Sequence, residues 1–127
     1  MDKKKILIAV TIITTILLIN IPFQKYLLER ELTRTTLTIL KNWESNNLPA
    51  NFVYWKEPLN SPPIYGLDSY KIEKYIFKKK GDILSCEFYL RLDFPADNLL
   101  PSGKTWILEY YKFPRLGWLV ADFKQVN

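Results

Sequence analysis

The chain has 127 residues, a length that fits one domain with at most a short extension. It carries 18 lysine and arginine residues against 13 aspartate and glutamate residues, so its formal net charge is +5, and it has no histidine and one cysteine. The missing histidine excludes Ser-His-Asp and Cys-His catalytic sets and histidine-based metal or haem sites. One cysteine excludes an internal disulfide and a thiolate cluster. The composition therefore indicates no catalytic residues, no metal site and no cofactor.

The first predicted element is an apolar run, Ile6 to Ile21, which contains no charged residue. As a helix it reaches roughly 24 Å, and Pro22 and Phe23 extend it to about 27 Å, close to a bilayer hydrocarbon core of about 30 Å. Residues 1–23 are therefore predicted to form a short cytoplasmic tail and a transmembrane signal anchor. The lysines expected to flank the membrane are Lys3, Lys4, Lys5 and Lys25.

Two other interpretations of this run stay open, a cleaved signal peptide and a buried helix. Bulky residues at the end of the run, Ile19 to Phe23, argue against signal cleavage, which needs small residues. A buried helix this apolar would need a larger core than the rest of the chain offers. The lysine cluster places the N-terminus in the cytoplasm, so residues 24–127 are expected to form an extracytoplasmic domain on a single-pass membrane protein.

A second helix is predicted from Phe23 to about Asn46, because apolar residues recur there every three to four positions. Its stripe is expected to pack on a sheet, with a dimerising coiled coil as the alternative; the residues are Leu28, Leu32, Ile39, Leu40 and Trp43. Residues 48–68 contain five prolines and glycines that break long elements, although Asn51 to Trp55 could form a short strand.

Strict alternation then predicts β-strands, most clearly where Leu84 to Phe94 places apolar residues on one face and polar residues on the other. Cys86 lies in the apolar row and is interpreted as a core residue. Further strands are expected at Tyr70 to Lys79, Thr105 to Phe113 and Trp118 to Val126, the first joined to its neighbour by a tight turn at Gly81. The predicted fold class is α+β, with one antiparallel sheet of about four strands wrapped onto the helix.

The end of the helix, Trp43-Glu44-Ser45-Asn46-Asn47, and the closing segment, Pro114-Arg115-Leu116-Gly117-Trp118-Leu119-Val120-Ala121-Asp122-Phe123, together resemble the nuclear transport factor 2-like superfamily. The resemblance covers about residues 24–127. It implies a cystatin-like fold, in which a curled antiparallel sheet surrounds a helix. Enzymes of that superfamily use aspartate with tyrosine or histidine inside a cone, whereas membrane-anchored members serve as assembly subunits.

These expectations favour a non-catalytic accessory or scaffold subunit of a membrane complex, with the bilayer and other subunits as partners. Aromatic residues make up 15% of the chain, and tyrosine and tryptophan are enriched at interfaces. The candidate partner contacts are Tyr54, Trp55, Tyr65, Tyr110 and Tyr111. The competing interpretation is that a sheet simply uses residues of high strand propensity.

Two alternative functions stay open, a small-ligand-binding domain and an isomerase- or cyclase-like enzyme, both using a pocket between helix and sheet. For the enzyme, Asp93 or Glu109 would act beside a tyrosine. The triplet Lys78-Lys79-Lys80 is expected either to protect a sheet edge or to contact phosphate or anionic lipid. The modest charge of the domain, with acidic residues interleaved, argues against nucleic-acid binding.

Overall fold

The computed structural model describes residues 2–97 and 99–126, and of residues 17–22 it describes the backbone alone. One long helix, α1 (Lys3–Glu44), precedes two short 3₁₀ segments, Leu48–Tyr54 and Pro58–Asn60. Four strands follow: β1 (Ser69–Lys80), β2 (Ile83–Asp93), β3 (Lys104–Phe113) and β4 (Gly117–Gln125). The chain divides into two compact units, Met1–Thr35 and Thr36–Asn127.

The first unit is helical, and local hydrogen bonds explain how its backbone begins and how its polar side chains are satisfied. Asp2 caps α1, because its carboxylate accepts a hydrogen bond from the Lys4 amide at 3.1 Å. The hydroxyls of Thr11, Thr14 and Thr15 each donate to the carbonyl four residues earlier, at 2.8 to 2.9 Å. These threonines therefore need no partner outside their own helix.

The structure corrects the prediction of a membrane anchor. Among the residues it describes, no helix is both long and apolar enough to cross a membrane. The side chains of residues 17–22, on which part of the prediction rests, lie outside the described residues. The predicted transmembrane helix, and the single-pass localisation with a cytoplasmic N-terminus and an extracytoplasmic domain, are therefore wrong for the described residues.

The second unit has its core between the end of α1 and one face of the sheet. From α1, Ile39, Leu40 and Trp43 are fully buried, as the apolar stripe predicted. The Trp43 ring packs against Trp55 and Phe123, with ring centroids 5.9 and 5.4 Å away. Burial of a large aromatic residue stabilises a fold by about 1.5–3 kcal/mol, so this cluster fixes the C-terminal turns of α1 on the sheet.

The sheet is an open antiparallel meander in the order β1-β2-β3-β4, which confirms the α+β class and the four strands. It is not curled, so the curled sheet that the family resemblance implied is wrong. The register places Cys86 opposite Tyr110, Phe88 opposite Leu108 and Leu90 opposite Trp106. All six are buried, which confirms Cys86 as a core residue. Gly81 has a φ of 63° at the β1–β2 turn, where its missing Cβ avoids strain.

The irregular segment before the sheet contains no strand of its own within the described residues. Leu48–Tyr54 forms a 3₁₀ helix where a short strand was considered, and Trp55 makes one isolated parallel bridge with Val120 of β4. Asn51, fully buried, accepts a hydrogen bond from the Asn42 amide at 2.7 Å and donates one to the Ile39 carbonyl at 3.1 Å. These two bonds attach the 3₁₀ segment to the last turns of α1.

Candidate functional site

One concave surface of the second unit is a groove with a volume of about 850 Å³. We call it the Tyr65 groove. Two loops form it, the segment before β1 and the β2–β3 connection, together with the residue that ends α1. Its lining consists of Asn46, Pro62, Pro63, Ile64, Tyr65, Gly66, Pro95, Asp97, Leu99 and Leu100.

The end of α1 positions the first loop. Asn46 has a φ of 60°, its amide donates to the Trp43 carbonyl and the Asn47 amide donates to the Asn42 carbonyl, which is the Schellman arrangement. The Asn46 side-chain oxygen then accepts a hydrogen bond from the Gly66 amide at 2.5 Å. A helix-ending asparagine thus also attaches the loop that carries Tyr65.

The second loop is closed by one serine. The Phe94 amide donates to the Ser102 hydroxyl oxygen at 2.6 Å, and that hydroxyl donates to the Phe94 carbonyl at 2.9 Å. Phe94 itself is buried against Trp106, with ring centroids 6.4 Å apart. A Cβ on Gly66, whose φ is 68°, would lie 3.2 Å from a Pro95 side-chain carbon, so the two loops approach each other closely.

The groove exposes apolar surface. Leu99 is 101% exposed and Tyr65 is 55% exposed, and three prolines and the buried Ile64 also line the groove. An exposed leucine and tyrosine beside proline side chains offer apolar contact area to another molecule. The carboxylate Asp97 also lines the groove and gives it a negative charge.

The structure separates the five candidate partner contacts by burial. Tyr65 is exposed and lines the groove, Tyr54 and Tyr111 are half-buried, and Trp55 and Tyr110 are buried in the core. The Tyr110 hydroxyl forms a hydrogen bond of 2.7 Å with the Thr36 hydroxyl, and burial raises the pKa of Tyr110. Tyr65 is therefore the candidate whose side chain is exposed enough to contact a partner.

Sequence reasoning missed the rest of the groove. The predicted strands leave residues 95–103 as a connection to which no role is assigned, and Leu99 and Leu100 lie in its middle. Two adjacent leucines in a loop between strands were the available signal, because a loop leucine either folds back into the core or stays exposed.

The residues considered for acid–base chemistry lie outside the groove lining. Glu109 faces outward from β3, opposite Glu87, and forms an ion pair with Lys80 at 3.0 Å. Burial raises the pKa of Glu109, but hydrogen bonds from Lys80 and Tyr111 outweigh it, and the pKa lies below its usual value. Asp93 accepts a hydrogen bond from the Ser69 hydroxyl at 2.8 Å. With its pKa lowered, Glu109 is a poor proton donor at neutral pH.

The lysine triplet is only partly available to an anion. Lys78 forms an ion pair with Glu87 at 2.5 Å, as Lys80 does with Glu109, and hydrogen bonding to these carboxylates raises the pKa of both lysines. Lys79 forms no ion pair within the described residues and is exposed. Across the described part of the chain, no group of three or more aspartate, glutamate or cysteine side chains is placed to hold a metal ion.

Comparisons with known proteins add no relative. No protein-family model, curated protein or solved structure matches this chain. The structure supports an α+β fold with helical segments followed by a four-stranded antiparallel sheet.

Proposed function

We propose that residues 36–127 form a non-catalytic binding domain that contacts a protein partner through the Tyr65 groove. The observation that carries this proposal is the exposure of Leu99 and Tyr65 on a groove built from proline-containing loops. Exposed apolar patches with polar surroundings mark interaction sites on small domains. Loops positioned by a rigid sheet are also the usual place for binding residues.

Several features support binding rather than catalysis. The carboxylates Glu87 and Glu109 are neutralised by lysines on the outer face of the sheet, and neither lines the groove. The same pairs occupy Lys78 and Lys80, which supports a protein rather than a nucleic-acid partner. A relationship to the nuclear transport factor 2-like superfamily is part of the proposal, and the sequences of residues 43–47 and 114–123 support it.

The chain offers a matched pair of leucines for the test. Leu99 is 101% exposed and lines the groove, whereas Leu59 is 99% exposed and does not. Replacing either leucine by serine removes the same apolar surface without touching the core, so stability should change by less than about 0.5 kcal/mol in both variants.

The experiment purifies the tagged full chain, in wild-type, Leu99→Ser and Leu59→Ser forms, and quantifies the proteins that co-purify. We expect Leu99→Ser to reduce at least one co-purifying protein by about tenfold, the effect of losing about 1.4 kcal/mol of binding. Leu59→Ser should retain it. A partner set that is equal in all three forms, or no partner at all, would contradict the proposal.

A small molecule in the same groove is the second candidate, because a volume of about 850 Å³ lies in the usual range for ligand sites of about 300–1,000 Å³. Such a ligand would raise the thermal unfolding temperature of wild-type protein and not of Leu99→Ser. The open, fully exposed Leu99 favours the protein partner, since a small ligand is usually enclosed.

A further inference from the structure

The two edges of the sheet differ in how their backbone groups are occupied. On the β4 edge, Trp55 bridges to Val120, and the Lys56 amide donates to the Val120 carbonyl at 2.9 Å. The other edge is β1, which pairs with β2 from Ser69 to Lys80 with one bulge between Ile72 and Lys74. Because of this bulge, Lys71 and Lys79 lie on opposite faces of the strand. Among the described residues, no segment pairs with the outer edge of β1.

This open edge is long. β1 has 12 residues, more than any other strand, and spans about 40 Å. Most of its side chains are exposed. An unpaired edge presents alternate amide and carbonyl groups that an extended chain can hydrogen-bond as an added strand.

The charge of β1 selects among possible occupants. The strand carries five lysines and one glutamate. Lys78 and Lys80 are paired with carboxylates of the neighbouring strands, and Lys74 lies 4.6 Å above the Tyr89 ring. Lys71 and Lys79 are exposed and have no ion pair in the part of the chain that the structure describes. An incoming strand therefore meets a positive edge.

That charge argues against a second copy of this chain. Two β1 edges paired together would set lysines against lysines, and like charges opposite each other on paired strands destabilise the pairing. Lysines on an edge strand deter neutral and basic strands in the same way. An acidic extended segment has the opposite effect, because carboxylates on its two faces meet Lys71 and Lys79 while its backbone completes the hydrogen bonds of the edge.

We propose that the outer edge of β1 binds an acidic, extended segment of a partner protein as a fifth strand of the sheet. The surface is distinct from the Tyr65 groove, and the proposal does not depend on what binds there. Backbone pairing supplies the affinity, and the lysines select the charge of the segment.

The probe is a fluorescein-labelled peptide of about ten residues, the length of a long strand, in which pairs of glutamates follow pairs of threonines, so that both faces of the added strand carry carboxylates. Two control peptides change one property each. One replaces glutamate by lysine and reverses the charge. The other replaces threonine by proline, which keeps the charge but removes half of the amide donors and disfavours strand pairing. Fluorescence anisotropy with the full chain should show binding of the first peptide, and binding at least about tenfold weaker for both controls.

Two charge-reversed proteins complete the test. Lys71→Glu/Lys79→Glu changes the β1 edge, and Lys104→Glu/Lys112→Glu makes the same change of net charge on exposed positions of β3. We expect the first variant to bind the acidic peptide about tenfold more weakly and the second to bind within about twofold of wild type. Circular dichroism should show both variants folded.

Hydrogen exchange separates strand addition from simple charge attraction. The acidic peptide should slow the exchange of amides in β1, because edge amides gain hydrogen bonds only in an added strand. Binding without this protection, equal binding by both protein variants, or no binding of the acidic peptide would overturn the proposal. Leu99→Ser should bind the peptide normally, so failure of either proposal is recognised independently of the other.

Discussion

The two faces of the sheet bury their side chains by different means. The core face buries rings and aliphatic chains such as Phe88, Leu90 and Leu108, with one hydroxyl pair, Thr36 and Tyr110, joined at 2.7 Å. The outer face buries two carboxylates, Glu87 at 4% and Glu109 at 2% exposure, directly opposite each other. The first arrangement gains from removing apolar area from water, and the second depends on cations that cover the acids.

The outer face shows what lets two like charges lie side by side in a sheet. Lys78 and Lys80 come from β1 and reach across to Glu87 on β2 and Glu109 on β3. Each lysine keeps its ammonium group near solvent while its stem covers the carboxylate. The two buried carboxylates are therefore tolerated because each is paired with its own lysine. The stability contributed by the outer face should depend on pH and salt more than that of the apolar core face.

The largest effect is expected from the core face. Phe88→Ala removes a fully buried ring that packs on Tyr75 and Tyr110, and it should lower the free energy of unfolding by about 3–5 kcal/mol. Urea denaturation followed by circular dichroism measures it. Tyr89→Ala, at the next position on the half-buried outer face, should cost clearly less; an equal loss would break the distinction between the faces.

A smaller effect is expected from the outer face. Lys80→Met leaves Glu109 buried without its cation, and we expect a loss of about 1 kcal/mol, because the exposed ammonium already interacts partly through solvent. The double variant Lys80→Met/Glu109→Gln should recover most of this loss, since no unpaired charge remains. If the double variant were the least stable, Glu109 would stabilise this face through its hydrogen bond with Tyr111 rather than through Lys80.

The same pair predicts a pH dependence with a definite sign. The pKa of Glu109 lies below its usual value, so the ionised pair stabilises the fold above about pH 4.3. That contribution is lost as the pH falls through the lowered pKa. Hydrogen bonding to Glu109 raises the pKa of Lys80, whose contribution persists at neutral pH and is lost as the pH rises through that raised pKa. In a series of urea denaturations at different pH values, Glu109→Gln should reduce the loss of unfolding free energy at acid pH. If this loss is unchanged, carboxylates other than Glu109 cause it.

The smallest effect should come from Lys74, whose ammonium lies 4.6 Å above the Tyr89 ring. Lys74→Ala should cost about 0.5 kcal/mol, the usual value for an exposed cation–π contact. Lys71→Ala on the same strand serves as the control and should change stability less. If Lys71→Ala lowered the free energy of unfolding more than Lys74→Ala, the effect would reflect the low strand propensity of alanine and not the contact with the Tyr89 ring.

Several elements were predictable because they depend on neighbours in the chain. The alternation from Leu84 to Phe94 predicted β2, and it placed Cys86, Phe88 and Leu90 in the core correctly. The turn at Gly81 and the end of the helix near Asn46 followed from residue types that tolerate a positive φ. Leu84, at the end of the same row, is 43% exposed, because a strand end can project beyond the core.

The membrane anchor shows where local pattern fails. The prediction rested on counting apolar residues from Ile6 to Ile21, whereas no helix among the described residues is both long and apolar enough to span a bilayer. The alternation in β2 likewise predicted a solvated polar face, yet Ser85 and Glu87 are buried. Periodicity identifies the two faces of a strand but cannot say whether side chains from another strand cover one of them.

The sequence by itself determined the α+β class, the four strands, the core-facing row of β2 from Cys86 to Leu92 and the absence of histidine chemistry. Each follows from composition or from spacing within one element. The tertiary structure decided the rest. It brought Asn46, the loop of Tyr65 and the loop of Leu99 into one groove, covered Glu87 and Glu109 with lysines, and left the edge of β1 open. These features join residues far apart along the chain, and only strand register and loop closure fix which of them meet.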